Sequence, residues 1–542
     1  MTLFNETLNG KESKNIAAIG NNSQPILSAA SEAEAIQGWL IDKLAEVLEI
    51  EPNQIDVGQD FEEYGLESAE AINLSGDLED YLGRRLPPTL LWDYQNIEDL
   101  TQYLAHSNLS SSQANFNIEL SSPPITKDLS QAGIANYALE IPLENYKFEE
   151  FPEYKKLLEQ QKQVSSLGNG NPFFVPQETI VNDRTTINGR ELINFATYNY
   201  IGMCGDPQVT QAAKDATDFY GTSACASRLI SGEKPLHKEL ERELADFIGV
   251  EDSIIMVGGH ATNVTTIGHL FGKDDLVIYD SLSHNSILQG CFLSGASLVA
   301  FPHNDIQALE KILSDRRHRY QRVLIAIEGV YSTDGDIANL PATIELKQKY
   351  KTFLMVDEAH SMGAIGKTGR GISEYYQINP NDVDLWMGTL SKSFASCGGY
   401  IAGSSALVEY LKYTAPGFVF SVGMSPPNAA ASLAAIRVLK ADPQRAILLQ
   451  NRAKLFLDLA KEQGLNTGMS KDSPVIPIIV GDSLKSIQLS QNLFKRGINV
   501  PFMIYPSVPQ NGARLRFFIT CNHTEPQIRS TIKILTEELG RL

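Results

Sequence analysis

Nowhere does the chain carry an apolar run approaching the roughly 20 residues of a membrane-crossing helix, so no membrane span is expected. Cysteine is scarce. The five cysteines (Cys204, Cys225, Cys291, Cys397 and Cys521) are odd in number and widely scattered. They suggest neither a disulfide framework nor a metal knuckle, and they fit a reducing, cytoplasmic setting. The opening residues, Met1-Thr-Leu-Phe-Asn-Glu-Thr, lack the basic and apolar regions of a secretion signal. Basic residues are also short, 45 against 65 acidic ones, and the net charge of -20 speaks against nucleic acid as a partner.

The acidic excess is concentrated. Between Ala30 and His106 there are 18 acidic and 3 basic residues, which accounts for -15 of the -20. Such a segment suits a small module that docks on basic protein surfaces. Its apolar residues (Ile36, Leu40, Leu44, Val47) recur at helical spacing behind Ser31, which is expected to cap the helix. Gly65 permits a sharp turn, and Ser68 then opens a second helix carrying Ile72, Leu74 and Leu78. A serine there can act as an N-cap, a chemical site, or both. Flanking it, residues 1–28 and 107–145 are rich in Ser, Asn, Gly and Pro. They are expected to be a disordered segment and a flexible linker.

Residues 29–106, with Gly65-Leu-Glu-Ser68 and Leu86-Pro-Pro-Thr-Leu-Leu-Trp-Asp-Tyr94, resemble an acyl carrier protein of the polyketide-synthase type. The resemblance implies a small four-helix domain with 4'-phosphopantetheine on Ser68. It also implies a phosphopantetheinyl transferase and acyl-loading or polyketide/fatty-acid synthase enzymes as partners.

From about residue 146 the pattern changes. Apolar runs at Ser253–Val257, Leu276–Tyr279, Val323–Ile327, Phe353–Val356 and Leu385–Met387 alternate with amphipathic stretches. This is the pattern of a mostly parallel sheet covered by helices on both faces. The part from about 435 to 542, with Val475–Val480 and Arg514–Thr520 as strands, reads as a smaller α+β subdomain after a large part spanning about 190–430.

Ligands of open parallel sheets sit beyond the carboxyl ends of the strands. There the sequence has Gly258-Gly-His260, Asp280 to His284, Glu328 to Ser332, Asp357-Glu-Ala-His360, and a break at Gly388 before Thr389-Leu-Ser-Lys392. A glycine turn into a helix suits a phosphate. A lysine just past a buried strand suits a reactive amine whose pKa burial lowers. A buried carboxylate such as Asp357 favours a protonated pyridine nitrogen, so the set points to pyridoxal phosphate. Asp357 and His360 could hold a metal, but no further His or Cys stands at a matching spacing, and no metal is expected.

Residues 146–542 resemble the alpha-oxoamine synthases, which are fold-type I pyridoxal-phosphate enzymes. The motifs are Asn199-Tyr-Ile-Gly, Tyr220-Gly-Thr-Ser with Ser227-Arg228 and His237-x-x-Leu-Glu, Glu328 to Asp336, Asp357 to His360, Thr389 to Lys392, and Arg514-Leu-Arg516. The resemblance implies Lys392 as the Schiff-base lysine, Asp357 on the pyridine nitrogen and His284 over the ring. It sets Ser332 and His360 near the phenolic oxygen. Gly259, His260 and Thr389 would hold the phosphate, with Ser421 a candidate contact from a second subunit of a homodimer. Asn199 and Arg516 would hold the substrate carboxylate. The expected reaction is a decarboxylating condensation of a small amino acid with an acyl thioester, giving an alpha-amino ketone. The same chemistry on free acyl-CoA, a fold-type I aminotransferase, and a non-catalytic carrier and docking protein are the alternatives.

Overall fold

The structure is a computed structural model. It describes residues 29–107 and 141–542, except 49, 62–63, 65, 67, 85, 87–89, 95, 167–170 and 506. The segment 1–28, and 108–140 of the expected linker, lie outside the described residues. Four helices fall in the first stretch: α1 (Ala29–Leu48), α2 (Ser68–Leu82), α3 (Leu90–Asp93) and α4 (Ile97–Ser107). Helix α1 already includes Ala29 and Ala30, so Ser31, expected as the N-cap, lies within the helix. Ser68 does open its helix.

The described residues divide into two compact units, those up to 64 with 94–107, and those of 65–93 with 141–542. In the first, α1 packs on α4. Leu40 and Leu44 of α1 and Leu100 and Leu104 of α4, each pair one helical turn apart, are fully buried.

The second unit contains α2, α3 and the remaining elements. They run α5 (Pro152–Ser166), β1 (Arg184–Ile187), β2 (Arg190–Asn194), α6 (Pro207–Tyr220), α7 (Pro235–Ile248), β3 (Asp252–Met256) and α8 (Gly259–Leu270). Then come β4 (Leu276–Asp280), α9 (Asn285–Ser294), β5 (Ser297–Phe301), α10 (Ile306–Arg316), β6 (Val323–Glu328), β7 (Phe353–Asp357), β8 (Leu385–Thr389) and β9 (Gly399–Gly403). Strands β3 to β9 form one seven-stranded sheet in the order β3-β9-β8-β7-β6-β4-β5. The pairs β8/β7, β7/β6, β6/β4 and β4/β5 are parallel, and β9 runs against both its neighbours.

Side chains alternate across a strand, and the two faces of this sheet fill two separate apolar clusters. Ile278, Ile325, Val356 and Trp386 enter one. Val277, Leu324, Met355 and Leu385 enter the other. Burial on both faces is why these strands read as unbroken apolar runs.

Two strands of this sheet escaped the sequence pattern. β5 is an edge strand of ordinary length, and β9 is bounded by glycines that resemble turn signals. Nor does β8 break at Gly388. It continues through Thr389 paired with β9, and the glycine makes room for the Tyr400 ring, into which a Cβ at Gly388 would run.

The C-terminal part adds β10 (Val475–Gly481), β11 (Ile498–Asn499), β12 (Phe502–Met503) and β13 (Ala513–Phe518). β13 pairs antiparallel with both β10 and β12. β11 pairs parallel with β2, so the early hairpin β1–β2 is built into this end of the unit. Among the described residues no helix is long and apolar enough to cross a membrane.

Candidate active site

The carboxyl ends of β3, β4, β6, β7 and β8, together with β13, wall a cavity of about 1080 Å³. Gly259, His260, His284, Ser332, Asp357, His360, Thr389, Lys392 and Arg516 all line it. Nine of the residues singled out from the sequence thus meet in one place, although they are spread over some 250 positions.

Lys392 follows the buried end of β8 after two residues. Its Nζ lies 2.7 Å from His360 Nε2, and His360 Nδ1 lies 2.7 Å from the Tyr200 hydroxyl. Burial drives the His360 pKa well below the usual imidazole value, and the Lys392 charge adds to the effect. With His360 neutral, its Nε2 accepts from the lysine and Nδ1–H donates to Tyr200. Burial also brings the Lys392 amine down to about 8, against the opposing pull of Asp357 and Glu328. A lysine in that range is partly unprotonated near neutrality.

Asp357, at the end of β7, is 4 % exposed. Its Oδ1 accepts from the Ala359 N–H at 2.9 Å and its Oδ2 from Asn263 Nδ2 at 2.8 Å. The same Nδ2 donates to Ser286 Oγ at 2.8 Å, and that hydroxyl meets His284 Nδ1 at 2.7 Å. His284 is the N-cap of α9, accepting from the Ser286 N–H. Burial lowers its pKa, with Asp357 opposing. Beneath it, Glu328 Oε1 accepts the His284 backbone N–H at 2.5 Å. Burial, reinforced by the Asp357 charge, raises the Glu328 carboxyl to about 8. Glu358 is engaged elsewhere, accepting from the Ser361 hydroxyl and the Ile372 N–H.

Gly259 opens α8 behind Gly258, so free N–H groups of the first turn face this end of the sheet. Thr389 Oγ1 stands opposite, donating to the Gly398 carbonyl at 3.0 Å. Arg516 of β13 donates from Nη1 to the Ser332 carbonyl at 2.8 Å and from Nη2 to the Tyr198 hydroxyl at 3.3 Å. Its guanidinium also lies 4.6 Å from the Phe518 ring centre.

One residue expected at this wall, Asn199, does not reach it, and Ser421 was expected there only from a second subunit. Asn199 is buried, and its amide is taken up by the backbone of its own loop and of the segment before β1. It donates to the Val181 and Cys204 carbonyls and accepts from the Cys204 N–H. Its neighbour Tyr198 lines the cavity instead. Ser421 lies outside the cavity, between exposed Phe420 and exposed Val422.

The structure adds residues that the sequence did not single out for a role: Asn263, Ser286, Glu328, Tyr198 and Tyr200. Asn263 had a legible signal, since it stands one helical turn beyond His260 and so shares its face. Leu66, two residues before Ser68, also lines this cavity.

Residues 190–535 match the family model for aminotransferase class I and II, and residues 38–104 match that for a phosphopantetheine attachment site. An 8-amino-7-oxononanoate synthase of Thermoanaerobacter pseudethanolicus is 36% identical over 358 residues, covering 66% of this chain and 90% of that protein. Serine palmitoyltransferase 3 of Caenorhabditis elegans is 38% identical over 365 residues, covering 65% of this chain and 71% of that one. The solved Sphingomonas wittichii serine palmitoyltransferase superposes with a TM-score of 0.69 at 31% identity, over 72% of this chain and 98% of that chain.

Proposed function

The chain belongs to the aminotransferase class I and II family and, within it, to the alpha-oxoamine synthases, and on that premise we propose that it condenses a small amino acid with an acyl thioester carried on Ser68. It is an acyltransferase that uses pyridoxal phosphate, fused to a phosphopantetheine attachment domain.

The cavity suits that cofactor. Gly259 leaves a hollow at the helix start that a Cβ would close, 2.9 Å from Thr389 Oγ1. Arg516 Nε, Asn263 Oδ1 and Ser283 Oγ are buried polar atoms with no hydrogen-bond partner among the described residues. In this reading the first-turn amides of Gly259 and His260, with Thr389, hold the phosphate. Asp357, fixed by Asn263 and Ala359, holds the ring nitrogen, and neutral His284 covers the ring. His360 and Ser332 serve the phenolic oxygen. Arg516, beside Tyr198, takes the amino acid carboxylate in place of the looped-away Asn199. Lys392, with its lowered pKa, anchors the cofactor and moves the proton at the substrate α-carbon.

When bound, pyridoxal phosphate supplies the electron sink that lets an amino acid lose its α-proton and later its carboxyl group. The new C–C bond joins that α-carbon to the thioester carbonyl. The C–S bond breaks and the thiol leaves, the carboxyl group departs as carbon dioxide, and a proton replaces it.

A single observation carries the choice of donor: Leu66, of the Gly65-Leu66-Glu67-Ser68 motif, lines the cavity that contains Lys392. Homodimer formation belongs to the same proposal. It is supported by Phe219, Ile230 and Phe420, which are 80 %, 79 % and 85 % exposed.

The test is intact-mass analysis of the phosphopantetheinylated chain, acyl-loaded and given glycine, alanine or serine in turn. Loss of the acyl mass from the carrier, with one carbon dioxide released per product, is expected. Full turnover by Ser68→Ala on free acyl-CoA would show that the carrier is not the donor. A keto acid formed without carbon dioxide would indicate transamination.

A further inference from the structure

The edge strand β5 is not left open. Its residue Ala300 spends both outward backbone groups on one side chain of α2. The Ala300 N–H donates to Asn73 Oδ1 at 2.9 Å, and Asn73 Nδ2 donates to the Ala300 carbonyl at 3.2 Å. A primary amide thus stands where a further strand would pair. Beside it, Ile72 is 1 % exposed and joins the apolar cluster of Leu298 and Ala300. One turn on, a Cβ on Gly76 would sit 3.6 Å from the Leu298 carbonyl oxygen, so the helix runs close along the strand. Farther along the same stripe the contacts are ionic. Arg316, at the end of α10, pairs with Asp77 at 2.9 Å, and Arg319 with Asp80 at 3.2 Å.

Positions 72, 73, 76, 77 and 80 follow helical spacing, so one face of α2 carries all of these contacts. The combination of one apolar residue, one amide and three partly exposed ion pairs, Arg316 also lying 3.6 Å from Asp80, is polar for a permanent core contact and typical of surfaces that separate. We infer that this stripe is a docking face. It seats the Ser68 helix reversibly on the edge strand of its own chain, with Asn73 setting the position and the Asp77–Arg316 and Asp80–Arg319 pairs setting the orientation. A carrier serine that is modified and acylated by other enzymes has to leave such a seat and return to it. Seated, the helix brings the segment before Ser68 to the cavity wall at Leu66. The inference rests on carrier-bound delivery, and its test separates the two.

Full-length, phosphopantetheinylated and acyl-loaded protein would be compared as wild type, Asn73→Ala, Asp77→Arg, Arg316→Asp and the Asp77→Arg/Arg316→Asp exchange, at equal cofactor absorbance. Each charge reversal is expected to slow acyl discharge from Ser68 on the order of tenfold, with the exchange recovering most of the rate. Amide hydrogen exchange at Ala300 is expected to be protected in the wild type and faster in Asn73→Ala. Unchanged discharge in both single reversals, or unaltered exchange at Ala300, overturns the docking face while leaving carrier delivery standing. Full activity of Ser68→Ala overturns carrier delivery itself.

Discussion

Asn263 and Asp357, 94 positions apart, meet inside the cavity with Nδ2 2.8 Å from Oδ2. The one amide nitrogen also reaches Ser286, which in turn fixes His284. Asn263 therefore orients both the carboxylate and the imidazole, as outer hydrogen-bond partners of a cofactor site do. Asn263→Ala is expected to weaken pyridoxal phosphate binding by roughly tenfold, read by absorbance titration. Asn263→Asp, which sets a like charge against Asp357, is expected to be worse. Wild-type affinity in both variants would rule out this orienting role.

The Lys392 amine, lowered by burial to about 8 from an ordinary 10.5, sets a pH dependence. Only the neutral amine reacts with an aldehyde, so covalent uptake of pyridoxal phosphate is expected to rise with pH to a half-maximal rate near 8. Stopped-flow absorbance measures it, and a half-maximum above 10 would contradict the buried amine. The same shift affects the cofactor-free fold. The native chain releases this proton near 8 and the unfolded chain near 10.5, so the unfolded state binds more protons between those values. This group's contribution to stability therefore rises as pH climbs from 8 to 10.5. Lys392→Met is expected to raise the Tm of the cofactor-free protein most below pH 8.

Gly259 is needed for space, because its backbone angle is not the left-handed one that favours glycine. The Cβ of Gly259→Ala would meet Thr389 Oγ1 at 2.9 Å and Thr389 Cβ at 3.0 Å. The variant is expected to fold, since the clash faces the cavity. It should lose cofactor affinity by about one to two orders of magnitude, and Gly259→Ala with Thr389→Ser should recover part of it. Equilibrium dialysis would show this, and unchanged affinity would remove Gly259 from the phosphate hollow.

The Ser227-Arg228 and His237-x-x-Leu-Glu241 motifs converge on structure. Arg228 is 7 % exposed. Its Nε meets Glu233 at 2.6 Å and its Nη1 meets Glu241 at 2.6 Å, while Lys412 reaches Glu241 at 3.0 Å. Arg228→Met leaves the Glu241 carboxylate buried with one cation fewer, and a loss of about 3 kcal/mol is expected. Arg228→Met with Glu241→Gln should lose less. Urea unfolding of the cofactor-free chain measures both, and equal stability of the single variant and wild type would contradict the buried fork.

The amino-acid sequence alone determined the α/β architecture, the carrier segment and nine of the residues in the cavity. Parallel strands buried on both faces are written as continuous apolar runs, and the residue just past such a run has to stand at the sheet's ligand-binding end. Lys392, Asp357 and His284 were legible for that reason. Only the tertiary structure decided that Tyr198 faces the cavity while Asn199 serves the backbone of its loop and of the segment before β1, that Asn263 ties Asp357 to His284, and that Asn73 covers Ala300 from 227 positions away. Local periodicity gives the side of an element on which a residue lies. Which partner fills that side is settled by chain segments far apart in sequence that come together only in the folded protein.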